Sequence, residues 1–425
     1  MLEKELIPVI DRVCEKLGRD SKAARLFMNC YPNTLSTTTK ISGEDVFVFT
    51  GDIPAMWLRD SSAQVRHYIP LAAENQSILK LIVGLSKRQA DCILKDAYAN
   101  AFNEKPDFNC YRADLTTRNA YVYERKYEID SLCYPIQLAS LVYQETGCTD
   151  HLDENFMRAL HRILDVFEIE QHHEHSLYHF ERTDCPSSDT LPEQGKGNPV
   201  VYTGMTWSGF RPSDDACVYG YLIPSNMFAS VVLKQAAQIA SEVYSDEKMA
   251  ARCRRLSDMI REGIETFGVV QHPTYGKVYA YEVDGKGNYL LMDDANVPSL
   301  LSIPYLGYVS CDDPVYRNTR QMIMSKVNPH YYEGKVLSGI GSPHTPPDHI
   351  WPIALSMQGL TSESKEEVQR VFDLLLSSVP DSDMDQLFMH EGVHKDDPSQ
   401  FTRPWFAWSN SLFSEFILHY LEICS

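Results

Sequence analysis

Apolar residues recur at the alternating three- and four-residue spacing of an amphipathic helix along most of the chain. The stripe is clear in LEKELIPVIDRVCEKL, ILKLIVGLSKRQADCIL, FMRALHRILDVFEIE, MFASVVLKQAAQIASEVY, MAARCRRLSDMIREGIETF and EVQRVFDLLLSSV. Strict alternation, the strand pattern, is confined to short pieces: DVFVFTGD, and GKVYAYEVDGKGNYL with its glycine-rich hairpin signal. No long Pro-, Gly- or Ser-rich linker divides the 425 residues. The pattern predicts one mainly α-helical domain over residues 1–425, with short β-hairpin excursions in its loops.

A repeat of layout overlies this pattern. An acidic or aromatic loop followed by an unusually apolar helix occurs six times: GDIPAMWLRDSSAQVRHYIPLA, YERKYEIDSLCYPIQLASLVY, GFRPSDDACVYGYLIPSNMFASVV, LMDDANVPSLLSIPYLG, PHTPPDHIWPIALSMQGL and TRPWFAWSNSLFSEFILHYL. Amphipathic helices lie between them. Helices that are apolar all round belong inside, and amphipathic ones outside. The expected architecture is therefore a six-hairpin (α/α)6 barrel, a toroid of helical hairpins. Its inner helices would be entered from loops gathered at one end, where sites are usually built. That end collects Trp57, Arg59, Asp60, Glu128, Asp130, Asp214, Asp215, Asp293, Asp294, His344, Trp405 and Trp408. The plain alternative is that these acids are N-caps, satisfying orphan helix amides.

Composition narrows the partners. Hydrophobic residues make up 44% and charged residues 23%, ordinary for a chain with a large core. The formal net charge of −19 repels phosphate backbones and anionic lipid, so neither nucleic acid nor a membrane surface is expected as partner. The charge gives no oligomeric state. The N-terminal stretch lacks the apolar core of a signal peptide, and the 11 cysteines contain no CxxC pair. Such cysteines suit the core of a protein in a reducing, cytoplasmic setting.

His390-Glu391-Gly392-Val393-His394 spells HExxH, the zinc-peptidase pattern, and Glu415 offers a third ligand. That chemistry needs both histidines on one face of a sturdy helix. Gly392 weakens a helix by about 1 kcal/mol relative to Ala. The flanks PDSDMDQLF and KDDPSQ are rich in breakers, so the segment is expected to be a loop without metal.

Glu391 then has other work. Glycoside hydrolysis takes two carboxyl groups flanking one bond, a proton donor and a partner that attacks or activates water. Asp214 or Asp215, in the third unit, and Glu391, ahead of the sixth, fit that requirement. Adjacent side chains diverge, so one of the two aspartates faces the substrate and the other caps or orients.

Taken together, GDIPAMWLRDSSAQ, ERKYEIDSLCYP, TGMTWSGFRPSDDACVYGYLIPSNMFA, DDANVPSLLSIPYLGY, IWPIALSMQGL and MHEGVHKDDP resemble glycoside hydrolase family 125. The resemblance implies an inverting exo-α-1,6-mannosidase on an (α/α)6 barrel, acting on mannose-containing oligosaccharides or N-glycan fragments without cofactor or metal. It places the general acid on Asp214, the member that opens the acidic pair, and the general base on Glu391. Burial or neighbouring negative charge is expected to keep Asp214 protonated.

WLRDSS is similar to the W-x-R-D-S run of glucoamylase-type barrels, which assigns Trp57, Arg59 and Asp60 to the non-reducing sugar. Asp130, Trp207, Arg211, Asp215, His344 and His390 complete the expected substrate-binding set. Glu124, Arg125, Glu128 and Asp130 are expected to include an internal salt bridge. Two rivals use the same residues: an α/α-barrel sugar epimerase or isomerase with a His344/His390 acid–base pair, and a catalytically silent sugar binder.

Overall fold

The computed structural model describes residues 2–380 and 387–424. Most of the flank PDSDMDQLF, expected as a turn, falls outside the described residues. Two kinds of helix alternate, as the hydrophobic pattern predicts. The helix Ile129–Thr146 is buried at every position from Ile129 to Ser140. Ile223–Glu242, Pro352–Leu360 and Ala407–Cys424 are likewise buried on all sides through their first two turns. By contrast, Glu247–Gly263 buries Met249, Ala250, Cys253, Leu256, Ser257, Ile260 and Gly263, a single stripe.

The buried helices pack in succession. Leu58–Arg66 lies against Ile129–Thr146, which lies against Ile223–Glu242, which meets the short helix Ile303–Leu306. Pro352–Leu360 packs on Ala407–Cys424, and that helix returns to Leu58–Arg66. The striped helices cover them from outside, with Glu247–Gly263 on Ile223–Glu242 and Lys365–Ser377 on both Pro352–Leu360 and Ala407–Cys424. Close approach depends on Gly359, where a β-carbon would stand 2.2 Å from Phe416 Cε2 on the neighbouring helix. One apolar cluster runs from Leu6 to Leu421.

The fourth unit departs from expectation, since its buried helix is only the turn Ile303–Leu306. Pro304 stands in its first turn, and Gly307 ends it at φ +85°. The strand expectations hold in reduced form. Asp45–Val48 pairs antiparallel with Thr39–Ser42, while Glu282–Val283 and Tyr289–Leu290 form the glycine-rich hairpin. Gly276–Tyr279 pairs backwards with Val269–His272 instead.

Capping separates the two helix classes. Several outer helices begin on side-chain caps: Asp153 accepts from the Phe156 amide, Asp246 from Lys248 and Met249, and Ser364 from Glu367. The N-cap positions of the inner helices are Trp57, Glu128, Leu222, Ser302 and Trp351, and none makes a side-chain cap bond. The recurring acids before the inner helices are therefore not their caps. Several inner helices instead continue directly from short strands, as Met56–Trp57 runs into Leu58–Arg66 and Tyr221–Leu222 into Ile223–Glu242.

Candidate active site

Loops leading into the inner helices line one cavity. Thr50, Ile53, Trp57, Arg59 and Asp60 come from the first unit and Pro212, Ser213 and Asp214 from the third. Asn296 belongs to the fourth, His344 and Trp351 to the fifth, and Glu391, Arg403, Phe406 and Trp408 surround the start of the last helix. Asp214 and Glu391 thus face a common space although 177 positions separate them in the chain.

Asp214 is presented by a tight turn. Its amide donates to the Arg211 carbonyl (2.9 Å), the Arg211 amide donates to the Asp215 carbonyl (2.8 Å), and Phe210 bridges to Ala216. Pro212 occupies the second turn position, where its fixed φ is favoured. Asp214 then falls at φ +69°, a left-handed position that usually carries glycine. Aspartate is among the few side chains tolerated there. The reversal sends Asp214 and Asp215 apart. Asp214 enters the cavity, and Asp215 accepts from His344 Nδ1 at 3.1 Å.

Arg59 organises the acidic side. Its buried guanidinium lies 2.6 Å from Glu128, 3.3 Å from Asp130, 3.4 Å from Asp214 and 3.5 Å from Asp60. Asn100 Nδ2 donates to Glu124 (3.0 Å) and Asp214 (3.2 Å) and reaches Glu128 at 3.5 Å. Lys126 Nζ donates to the Asp214 carbonyl at 2.7 Å. Burial raises the Asp214 carboxyl, but Arg59, a hydrogen bond from Glu128, Lys126 and His344 together hold it well below the usual range. Burial drives Glu128 well above its ordinary value despite Arg59, with Asp214 and Asp130 adding to the rise. Burial likewise pushes Asp130 up to about 6 against the pull of Arg59. Burial or neighbouring negative charge was expected to keep the proton on Asp214. The Asp214 carboxyl is instead held down, and the upward shift falls on its buried neighbour Glu128.

Glu391 lines the same cavity. Its amide donates to the Thr402 carbonyl, and Arg403 Nη1 donates to its carboxylate at 3.3 Å. Arg403 also grips Asp52 (2.5 Å) and has φ +36°, a strained conformation for a long side chain. After Glu391 the chain becomes the strand Gly392–His394, paired with His349–Ile350 and Phe401–Thr402. His390 and His394 therefore cannot share a helical face. Glu415, the supposed third ligand, bonds Arg66 and Tyr305 instead.

Of the expected sugar contacts, Trp57, Arg59, Asp60 and His344 line the cavity, with Asp130 and Asp215 directly behind it. Three others do not line it. Trp207 is buried in the core, stacked on His173 at 3.5 Å, and occupies the space a side chain at Gly220 would need. Arg211 anchors the turn through Glu282 at 2.6 Å. His390 bonds the Pro404 carbonyl and stacks on Phe401. Glu124, Arg125, Glu128 and Asp130 pair outside their own group: Arg125 with Asp96, Glu124 with Arg182, and Glu128 and Asp130 with Arg59.

Burial pushes His344 down, but the Asp215 hydrogen bond and the charges of Asp215, Asp214 and Glu391 outweigh it and raise the imidazole to about 9. Asp293 lies outside the cavity lining, accepts from the Leu300 and Leu301 amides, and is raised by burial to about 8. Arg403, Trp351, Phe406 and Asn296 were not singled out from sequence. Arg403 and Phe406 lie inside the quoted sixth unit, but no spacing distinguishes them there.

The chain matches the family described as metal-independent alpha-mannosidase (GH125) over residues 20–418. A Schizosaccharomyces pombe relative, the meiotically up-regulated gene 157 protein, is 40% identical over 99% of this chain and 86% of its own length. A Streptococcus pneumoniae structure is 46% identical with a TM-score of 0.95, covering 99% of both chains. It is described among metal-independent alpha mannosidases, in a non-productive complex with alpha-1,6-mannobiose. A structure described as a wild-type glycosidase shares the fold at a TM-score of 0.52 and 12% identity, over 95% of this chain and 98% of its own. Among the described residues no helix is long and apolar enough to cross a membrane. With a family match spanning nearly the whole chain, this protein belongs to glycoside hydrolase family 125, the metal-independent α-mannosidases.

Proposed function

We propose that the protein is an inverting exo-α-1,6-mannosidase that releases mannose from the non-reducing end of mannosides or N-glycan fragments. The observation that carries this reading is the meeting of Asp214 and Glu391 across one cavity. Asp214 donates a proton to the glycosidic oxygen, and Glu391 takes one from a water attacking the opposite face of the ring. Inversion needs room for that water, with the carboxyls ~6.5–9.5 Å apart. Arg59, Asp60 and Arg403 supply charged partners for hydroxyls, whose bonds are stronger than neutral ones. The α-1,6 linkage is taken from the mannobiose bound by the pneumococcal relative.

The sequential packing of inner helices under an outer layer supports the (α/α)6 barrel, and the continuous core supports a single domain. A His344/His390 isomerase is disfavoured because His390 does not line the cavity and His344 is held as a cation near neutral pH.

The test is incubation with α-1,2-, α-1,3- and α-1,6-linked mannobiose in the presence of a chelator, followed by NMR of the first-formed anomer. The expected outcome is β-mannose from the α-1,6 isomer alone. Release of α-mannose, or loss of activity on chelation, would remove the proposal.

A further inference from the structure

The charges around Arg59 do not balance. One guanidinium contacts four carboxyl groups, those of Asp60, Glu128 and Asp130, all buried, and of the partly exposed Asp214. The other cations nearby are already committed. Lys126 contacts Asp189 (2.5 Å) and Glu124 (4.0 Å), Arg182 pairs with Asp114, Glu124 and Asp189, and His344 pairs with Asp215. Ionised carboxylates cannot be accumulated out of water against so little compensating charge. At least one of the four keeps a proton.

Geometry picks the place. Glu128 and Asp214 flank the same donors: Asn100 Nδ2 lies 3.2 Å from Asp214 Oδ1 and 3.5 Å from Glu128 Oε1, and Arg59 contacts both carboxyls; two carboxyl groups placed so can bond each other only if one is protonated. Glu128 Oε2 already accepts from Arg59 (2.6 Å) and Ser131 Oγ (2.8 Å), so Oε1, facing Asn100, is the oxygen free to carry the proton.

We infer that Glu128 is a positioning residue that stores the catalytic proton with Asp214, the two carboxyls forming a dyad that holds one proton between them. This rests on Asp214 being the general acid. As the glycosidic oxygen approaches, the proton moves from Glu128 to Asp214. The Asp214 O–H bond then breaks as the new O–H bond forms on the leaving sugar and the C1–O bond cleaves. The attacking water forms the new bond to C1 and gives its proton to Glu391; Glu391 then releases that proton to solvent, and solvent returns one to the dyad. Atoms and charge balance without a co-reactant.

The experiment compares α-1,6-mannobiose with a dinitrophenyl α-mannoside, whose leaving group needs no proton, for wild type, E128Q and D214N. E128Q is expected to lose on the order of 10²-fold in kcat on mannobiose and at least tenfold less on the aryl mannoside. The alkaline limb of its kcat/KM profile should move to lower pH, because Asp214 alone beside Arg59 and Lys126 releases its proton earlier. Equal loss on both substrates with an unmoved limb would mean a structural role and overturn the inference. If D214N also loses both substrates alike, the acid assignment falls first and the dyad with it. A measurement on wild type guards against a misfolded variant: infrared difference spectra of enzyme carrying isotope-labelled glutamate should contain a protonated carboxylic carbonyl band at neutral pH. Absence of that band overturns the inference.

Discussion

Replacing Asp215 by Asn removes the negative charge that holds His344 protonated and leaves only a neutral amide oxygen as acceptor. The Asp215 carboxylate accepts from His344 Nδ1 at 3.1 Å, and the imidazole is raised from 6.5 to about 9. At 1.36 kcal/mol per pKa unit, the full rise would correspond to about 3 kcal/mol. The His344 side chain is 41% exposed, so solvent screening leaves about 1 kcal/mol. A folded-state pKa above the unfolded one means that this stabilisation is fully present below pH 6.5 and lost as pH rises through about 9. In the D215N variant the His344 titration should fall back toward 6.5, with only Asp214 and Glu391 still raising it. Histidine-ring NMR titration reads the pKa directly, and chemical denaturation of both proteins at several pH values reads the linked stability. The wild-type advantage should shrink between pH 6.5 and 9. An unchanged His344 titration in D215N, or a stability difference flat across that window, would refute the pairing.

D214N and E391Q should each lower kcat on the α-1,6 disaccharide by roughly 10²–10⁴-fold while leaving circular dichroism and melting temperature close to wild type. Trp207→Ala should cost about 3–5 kcal/mol in denaturant unfolding with KM little changed, since Trp207 supports the core behind the site without lining it. A large KM effect without destabilisation would return Trp207 to the substrate. Gly359→Ala should destabilise by about 1–3 kcal/mol, because the new methyl group meets the Phe416 ring on the adjacent helix. A neutral melting shift would show that the two helices can separate at little cost.

Elements with long periodic patterns were legible. The uniform burial of Ile129–Thr146 and the single stripe of Glu247–Gly263 follow from their hydrophobic positions alone. The fourth inner helix was misjudged, because apolar content concealed how Pro304 and Gly307 confine it to one turn. At the site, Asp214, Glu391, Arg59, Asp60 and Trp57 were named because they sit in motifs. Trp207 and His390 were over-assigned, since a residue beside a catalytic motif can point into the core as readily as into the cavity. Arg403 was missed for the converse reason: its hold on Glu391 arises from the return of one strand beside another.

Helix type, the candidate acids and the family were legible in local order, because period and motif are properties of neighbouring positions. Which acid carries the proton was decided only in three dimensions. Glu128 and Asp214 meet one guanidinium from distant stretches of chain, and the energy of a buried charge depends on everything within a few ångströms of it. Proximity of that kind is a product of packing, and no stretch of the sequence contains it.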